Sequence, residues 1–154
     1  MASGVNLGAI FHGKSCVLSM SYIQNMYQRK GDDYYDKELR VPVDHGNRNM
    51  KTTHFLFTTG LNRMDRQPAR DEEYLEYEGN FYTLSERRIP YQRDKTQDSR
   101  FFILTLFAIA KELKRTGQVL PEDVVQITLP IGLPPKHFAE LGQRYEAYFK
   151  GNGV

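Results

Sequence analysis

The 154-residue chain has a single cysteine, Cys16, and no tryptophan. One thiol excludes an intrachain disulfide framework and any zinc site built from cysteines, and it suits a reducing, cytoplasmic compartment. Neither charge sign dominates: 21 basic and 19 acidic residues leave a net charge of +2, mixed along the sequence. With no basic arm and no acidic tail, direct binding to nucleic acid is not expected. The longest apolar run, Phe101 to Ala110 with Thr105 inside it, is far shorter than the roughly 20 residues of a membrane helix. No charged segment precedes Val5 to Phe11, so a secretory signal and a membrane partner are not expected either. The G-x-S-x-G elbow, the Walker A run and G-x-G-x-x-G are all missing. The four histidines, His12, His45, His54 and His137, are scattered without metal-ligand spacing and read as structural or surface residues. Glu72-Glu73 and Glu122-Asp123 read as solvated charge in loops.

What is present is an alternation of strand and helix signals. Leu39, Val41 and Val43 alternate with other positions and predict a strand up to Asp44. A polar turn follows, and β-branched and aromatic residues resume from His54 to Thr58, which predicts a hairpin. Gly60 to Glu73, with Pro68, reads as an exposed loop. Tyr74 to Tyr77 and Phe81 to Leu84 flank Glu78-Gly79-Asn80 and predict a second hairpin. Ser85 to Thr96 holds Arg87, Arg88, Arg93 and Lys95. These charges read as a solvated loop or as a patch facing a partner or phosphate.

A helix is predicted over Ser99 to Arg115, capped by Asp98 or Thr96 and stopped at Gly117. Its first half is apolar on nearly every side, as in a helix buried between layers. A strand is predicted over Val124 to Ile131. A last helix runs from Pro135 to about Lys150, with Phe138, Leu141, Tyr145 and Tyr148 on one stripe and Gly151 as its stop. Phe102, Leu106, Ile109 and Leu113 are expected under a sheet containing Val43, Phe55, Phe57 and Val125. The order β-β, β-β, α, β, α predicts an α/β domain over residues 39–154, a mixed sheet with packed helices.

Residues 1–38 are harder to read. Val5, Leu7, Ile10 and Phe11 suggest a short element. Met20, Tyr22, Ile23, Met26 and Tyr27 fit helical spacing, and residues 31–36 are turn-like. This segment is expected to be a weakly packed extension whose removal leaves the melting temperature nearly unchanged.

The turn Asp44-His45-Gly46-Asn47-Arg48-Asn49, with Lys51 beyond it, has two readings. It is an ordinary Asn-rich hairpin turn, or a concavity of backbone N–H groups that binds an anion. In the second reading Gly and Asn supply left-handed backbone, Lys51 supplies a cation, and Asp44 holds a metal ion through water.

Asp44 to Lys51 follows the pattern D-x-G-S/N-x-x-x-K and resembles the first phosphate-binding loop of the actin superfamily. Tyr77 to Tyr82 (YEGNFY), Arg93 to Thr96 (RDKT), Phe102 to Leu113 (FILTLFAIAKEL) and Ile131 to Phe138 (IGLPPKHF) follow in order. Together they resemble the N-terminal domain of bacterial actin-like proteins of the ParM/StbA type, which segregate plasmids. The resemblance covers roughly residues 39–154. It implies an actin-like ATPase (ribonuclease H-like) fold of two similar halves, with ATP and Mg²⁺ in the cleft between them, and a filament coupled to DNA by a bound adaptor protein. By position, Asp44 would lie near Mg²⁺ and its water shell. Gly46, Asn47, Arg48 and Asn49 would face the β- and γ-phosphates, and Lys51 would neutralise their charge. Arg48 stands where actins have glycine, residues 1–38 precede the first strand, and the sequence stops before the family's second phosphate loop. The expectation is therefore the N-terminal half of such a protein, completed by self-association or by a missing C-terminal half, with no family-like ATP turnover of its own. The other class left open is a non-enzymatic module of the same fold that binds a partner or a filament end.

Overall fold

The computed structural model describes residues 6–12, 15–21, 37–69, 72–117, 125–133 and 135–149. In chain order the strands are β1 (Asn6–His12), β2 (Ser15–Ser21), β3 (Lys37–Arg40), β4 (Asp44–His45), β5 (Asn49–Lys51), β6 (Leu56–Thr58), β7 (Leu61–Met64), β8 (Leu75–Tyr77), β9 (Asn80–Leu84) and β10 (Val125–Thr128). Two helices, α1 (Arg100–Thr116) and α2 (Pro135–Ala147), complete the mixed α/β architecture.

The strands form two sheets. The larger has the order β3-β10-β1-β2-β8-β9-β7, and the smaller is the antiparallel ribbon β4-β5-β6. Parallel pairs join β3 to β10 and β2 to β8, and the other neighbours run antiparallel. The β3–β10 register continues past both strands: Val41 N donates to Thr128 O at 2.9 Å, Val43 N donates to Pro130 O at 3.0 Å, and Val43 bridges Ile131. Residues 39–43 therefore pair in parallel with the chain after α1, not with residues 54–58 as the predicted hairpin had it. A parallel partner must come back by a long crossover, and α1 lies within it.

Helix α1 forms where the sequence predicts it. Seventeen residues without Gly or Pro sustain it, and Gly117, at φ +62°, ends it in the left-handed region. Ser99 makes no side-chain cap. The Asp98 carboxylate accepts from Arg100 N at 3.0 Å instead, and Lys114 and Arg115 complement the last turn. Every residue from Phe101 to Ala110 is buried, and so is Leu113. The core around α1 includes Val41, Val43, Met50, Leu75 and Tyr77 from the strands and Leu141, Tyr145 and Tyr148 from the α2 side. Tyr148 also serves the backbone at the start of α1: its hydroxyl accepts from Phe102 N at 2.9 Å and donates to Asp98 O at 2.6 Å. Phe102 N, one of the four N–H groups at a helix start without a partner four residues back, is thereby shared between Tyr148 and Ser99 O at 3.1 Å.

Of the expected core, Phe102, Leu106, Ile109, Leu113 and Val43 are buried, and Phe57 packs against them. Phe55 is half-buried under the Lys111 ammonium, 5.7 Å from its ring centre. The Val125 side chain lies outside the described residues.

Other expectations change. Residues 1–38 supply β1 and β2, which lie in the middle of the seven-stranded sheet. Met20 belongs to β2, whereas residues 22–36, with the helical spacing and the turn-like run, lie outside the described residues. So do Val124, Lys150 and Gly151. The loop expected over residues 60–73 contains the edge strand β7, paired to β9 through its backbone, with Asn62 and Arg63 exposed. Phe138, placed on the buried stripe, is 67% exposed. Helix α2 enters the core only from Leu141 onward, and the Phe138 ring lies back over Gly142 of its own helix. No helix among the described residues is long and apolar enough to cross a membrane.

Candidate functional site

The run Asp44 to Lys51 is itself a small hairpin. Asp44 faces Lys51 and His45 faces Met50 across β4 and β5, so Asn47 and Arg48 stand at its tip. Strand β5 then pairs with β6, which makes it the central strand of the ribbon. The tip is exposed at Asn47 and Arg48, and Gly46 and Asn49 are half-buried. Lys51 Nζ lies 3.9 Å from Asp44 Oδ2, with both side chains more than half exposed. The structure thus brings Asp44 and Lys51 together at the base of the hairpin and sets Asn47 and Arg48 beyond them.

The glycine is needed for room and not for an unusual dihedral. No residue from Asp44 to Lys51 has a positive φ, so the left-handed backbone expected there is absent. A Cβ on Gly46 would lie 2.3 Å from the Asn49 carbonyl oxygen, a contact no larger residue can accommodate without moving backbone. Thr59, fully buried, fastens the same turn. Its hydroxyl donates to Gly46 O at 2.8 Å and its N–H donates to Arg48 O at 3.0 Å. In a trans peptide the carbonyl and the following N–H point in opposite directions. The Asn47 N–H therefore points away from Thr59, as an outward-facing donor would.

His45 anchors the hairpin to α1. Its Nε2 lies 2.6 Å from Thr105 Oγ1, and the Thr105 hydroxyl donates to Phe101 O at 2.7 Å. A hydroxyl has one proton to give, so the imidazole must donate through Nε2–H, and Nδ1 holds a lone pair. That Nδ1 is buried without a hydrogen-bond partner among the described residues. The ring also packs on Phe149, centroids 4.8 Å apart. Burial, and then the Lys95 charge, push the His45 pKa down to about 3, so the ring is neutral.

A second clamp holds the far end of the ribbon. Oε1 of buried Glu112 on α1 accepts from Thr52 Oγ1 at 2.6 Å and His54 N at 3.1 Å, and Oε2 accepts from Arg115 Nε at 3.1 Å and lies 2.9 Å from His54 Nδ1. Burial alone would raise the Glu112 carboxyl. The hydrogen bonds from Thr52, His54 and Arg115 outweigh it and hold the pKa below the usual carboxylate range.

The loop before α1 is held to α2. Asp94 caps the 3-10 turn Lys95–Gln97 by accepting from Thr96 N, and Arg144 of α2 pairs with the same carboxylate. Lys95 N donates to the Tyr145 hydroxyl at 3.2 Å, and Lys95 Nζ sits over the Phe101 ring at 5.6 Å. Of the charges read as a solvated loop, Arg87 and Arg88 are exposed and Arg93 pairs with Glu140 at 3.0 Å, but Lys95 is half-buried.

Comparison with family models, with curated proteins and with solved structures gave no match. The chemistry of the site therefore rests on its own geometry. Among the described residues no three His, Cys, Asp or Glu side chains gather to hold a metal ion. Asp44 is a single exposed carboxylate with the Lys51 ammonium 3.9 Å away. Sequence reasoning missed three features here: the Thr59 fastening, the His45–Thr105 anchor and the burial of Lys95. Each depends on a partner far along the chain, and no local pattern announces it.

Proposed function

We propose that this chain is the N-terminal half of an actin-like, ATP-binding, filament-forming protein of the plasmid-segregation type, and that its Asp44–Lys51 hairpin is the first phosphate loop. The observation that carries the proposal is the fastening of that hairpin: an exposed polar tip with its carbonyls tied inward to Thr59 and its base anchored through His45 to α1. A phosphate cradle has to be preorganised, because phosphoryl groups are handled mainly by positioning and electrostatic stabilisation. In this reading Asp44 holds the water shell of Mg²⁺, Asn47 and its neighbours Gly46, Arg48 and Asn49 face the phosphates, and Lys51 offsets their charge. The rest of the nucleotide site comes from a C-terminal half or another copy, and a DNA-bound adaptor is the partner implied by the resemblance.

Calorimetric titration of the full chain with Mg·ATP tests the proposal, with phosphate release followed in parallel. Weak binding that falls further in Asp44→Ala and Lys51→Ala, without sustained phosphate release, is expected. Binding that ignores both substitutions, or none at millimolar nucleotide, overturns it. Nucleotide-independent association with an actin-like filament protein would then place the chain among non-enzymatic interaction modules.

A further inference from the structure

Of the three histidines whose side chains the structure describes, His54 alone presents a ring lone pair to solvent. His45 is buried, with Nε2 against Thr105. His137 turns Nδ1 to Arg93 Nη2 at 3.4 Å. A guanidinium only donates, so that nitrogen uses its lone pair there and the ring proton sits on Nε2. His54 has the opposite polarity. It stands in the tight turn between β5 and β6, closed by Thr52 N donating to Phe55 O at 2.9 Å, and its Nδ1 faces Glu112 Oε2 at 2.9 Å. A carboxylate held ionised only accepts, so Nδ1 carries the proton and the neutral ring has its lone pair on Nε2. Nε2 has no partner among the described residues, and the side chain is 43% exposed although Glu112 behind it is buried. Arg115 donates through Nε to the same oxygen at 3.1 Å, and neither of its Nη groups has a partner among the described residues. One buried carboxylate oxygen therefore fixes an imidazole and a half-exposed guanidinium side by side, both within 3.1 Å of it.

A carboxylate on Nδ1–H raises the basicity of the far nitrogen and stabilises positive charge that develops on the ring. A metal ion would need further ligands, and among the described residues no three His, Cys, Asp or Glu side chains gather. A phosphoryl group needs only the lone pair and a cation for its oxygens. We propose that His54 Nε2 is a phosphoryl acceptor, with Arg115 holding the oxygens of the transferred group and Glu112 holding the ring. The donor is of the phosphoramidate class, in which phosphorus is bound to a protonated nitrogen. The Nε2 lone pair attacks phosphorus, the donor's P–N bond breaks, and the amine leaves as a neutral molecule. The Nε2–P bond forms, the ring becomes cationic, and the Nδ1 proton stays in its hydrogen bond to Glu112. This proposal stands apart from the phosphate-loop reading, since neither Asp44 nor Lys51 takes part.

The test incubates the full chain with potassium phosphoramidate at neutral pH and follows each histidine by mass spectrometry of peptides prepared without acid. His54 should take up the phosphoryl group about tenfold faster than His137, and phosphorus NMR of the modified chain should show the Nε2 isomer. Arg115→Gln and Glu112→Gln should each slow His54 about tenfold, the loss of one charge-assisted contact, and leave His137 unchanged. Thermal unfolding by circular dichroism is recorded for each. Arg115→Gln, at a half-exposed position, carries the comparison if Glu112→Gln melts lower. Equal rates at His54 and His137, no modification at His54, or an Nδ1 isomer there overturns the inference. An unchanged His54 rate in either folded variant also overturns it, by assigning that contact to holding the ribbon alone.

Discussion

Two hairpins whose turns lie within the described residues turn beside a glycine, and they are built differently. Between β8 and β9 the turn residues are Glu78 and Gly79, with φ of +49° and +75°, and a Cβ on Gly79 would meet nothing within 4 Å. That is a two-residue turn of mirror-image type, whose twist matches its strands, and its glycine serves the dihedral alone. Between β4 and β5 no φ is positive, and a Cβ on Gly46 would strike the Asn49 carbonyl. There the glycine serves space, and the turn is pulled tight by Thr59 and His45. The first hairpin closes itself through local geometry. The second is fastened from outside its own strands, by Thr59 and by the His45–Thr105 anchor on α1.

The difference can be broken at four points. The largest effect is expected from Gly46→Ala, which forces backbone apart and should cost about 3 kcal/mol in urea unfolding, the upper range for an overpacked site. A cost below 1 kcal/mol would mean the turn is looser than described.

Acid comes next. Folded His45 takes a proton only near pH 3, whereas an unfolded histidine takes one near 6.5. Between these values the unfolded chain holds more protons, so stability is lost as pH falls through 6.5. This group alone should remove about 1.4 kcal/mol per pH unit, roughly 2 kcal/mol by pH 5. Denaturant midpoints across pH 5–7, compared with a His45→Gln chain that lacks this slope, check it.

Thr59→Val keeps the shape but leaves the Gly46 carbonyl without its hydroxyl donor, and should cost about 1–2 kcal/mol. It should also increase hydrogen exchange at Asn47 and Arg48 while leaving Glu78 and Gly79 unchanged. The smallest effect belongs to Gly79→Ala, at about 1 kcal/mol for a left-handed residue with room around it. If Gly79→Ala proves as damaging as Gly46→Ala, the distinction between the two turns fails.

The same contrast explains what the sequence could disclose. Helix α1, the β8–β9 turn and the start of α2 are written locally, in a stretch without Gly or Pro, a Gly-Asn pair and Pro135. They stand within a residue or two of where they were expected. Pairing partners are not written locally. Nothing near Val41 says that it pairs with Thr128, and nothing in residues 6–21 says that they fill the centre of a sheet. The site divides in the same way. Asp44, Gly46 and Lys51 are visible as a spacing, and Asp44 and Lys51 do meet across the hairpin. Lys95 stands in a run of cations yet is half-buried, with its ammonium over the Phe101 ring and its backbone held by Tyr145, fifty positions away.

The position of β10 has a consequence for how the molecule comes into being during translation. This late strand is inserted between β3 and β1, both made long before it. Until it emerges, β3 has no partner beside the five strands β1-β2-β8-β9-β7, although α1, apolar on nearly every side, has already been synthesised. At about 5–20 residues per second, the interval between the end of α1 and the end of β10 is on the order of a second. During that second β3 is an unpaired strand, a backbone edge open to pairing with another chain.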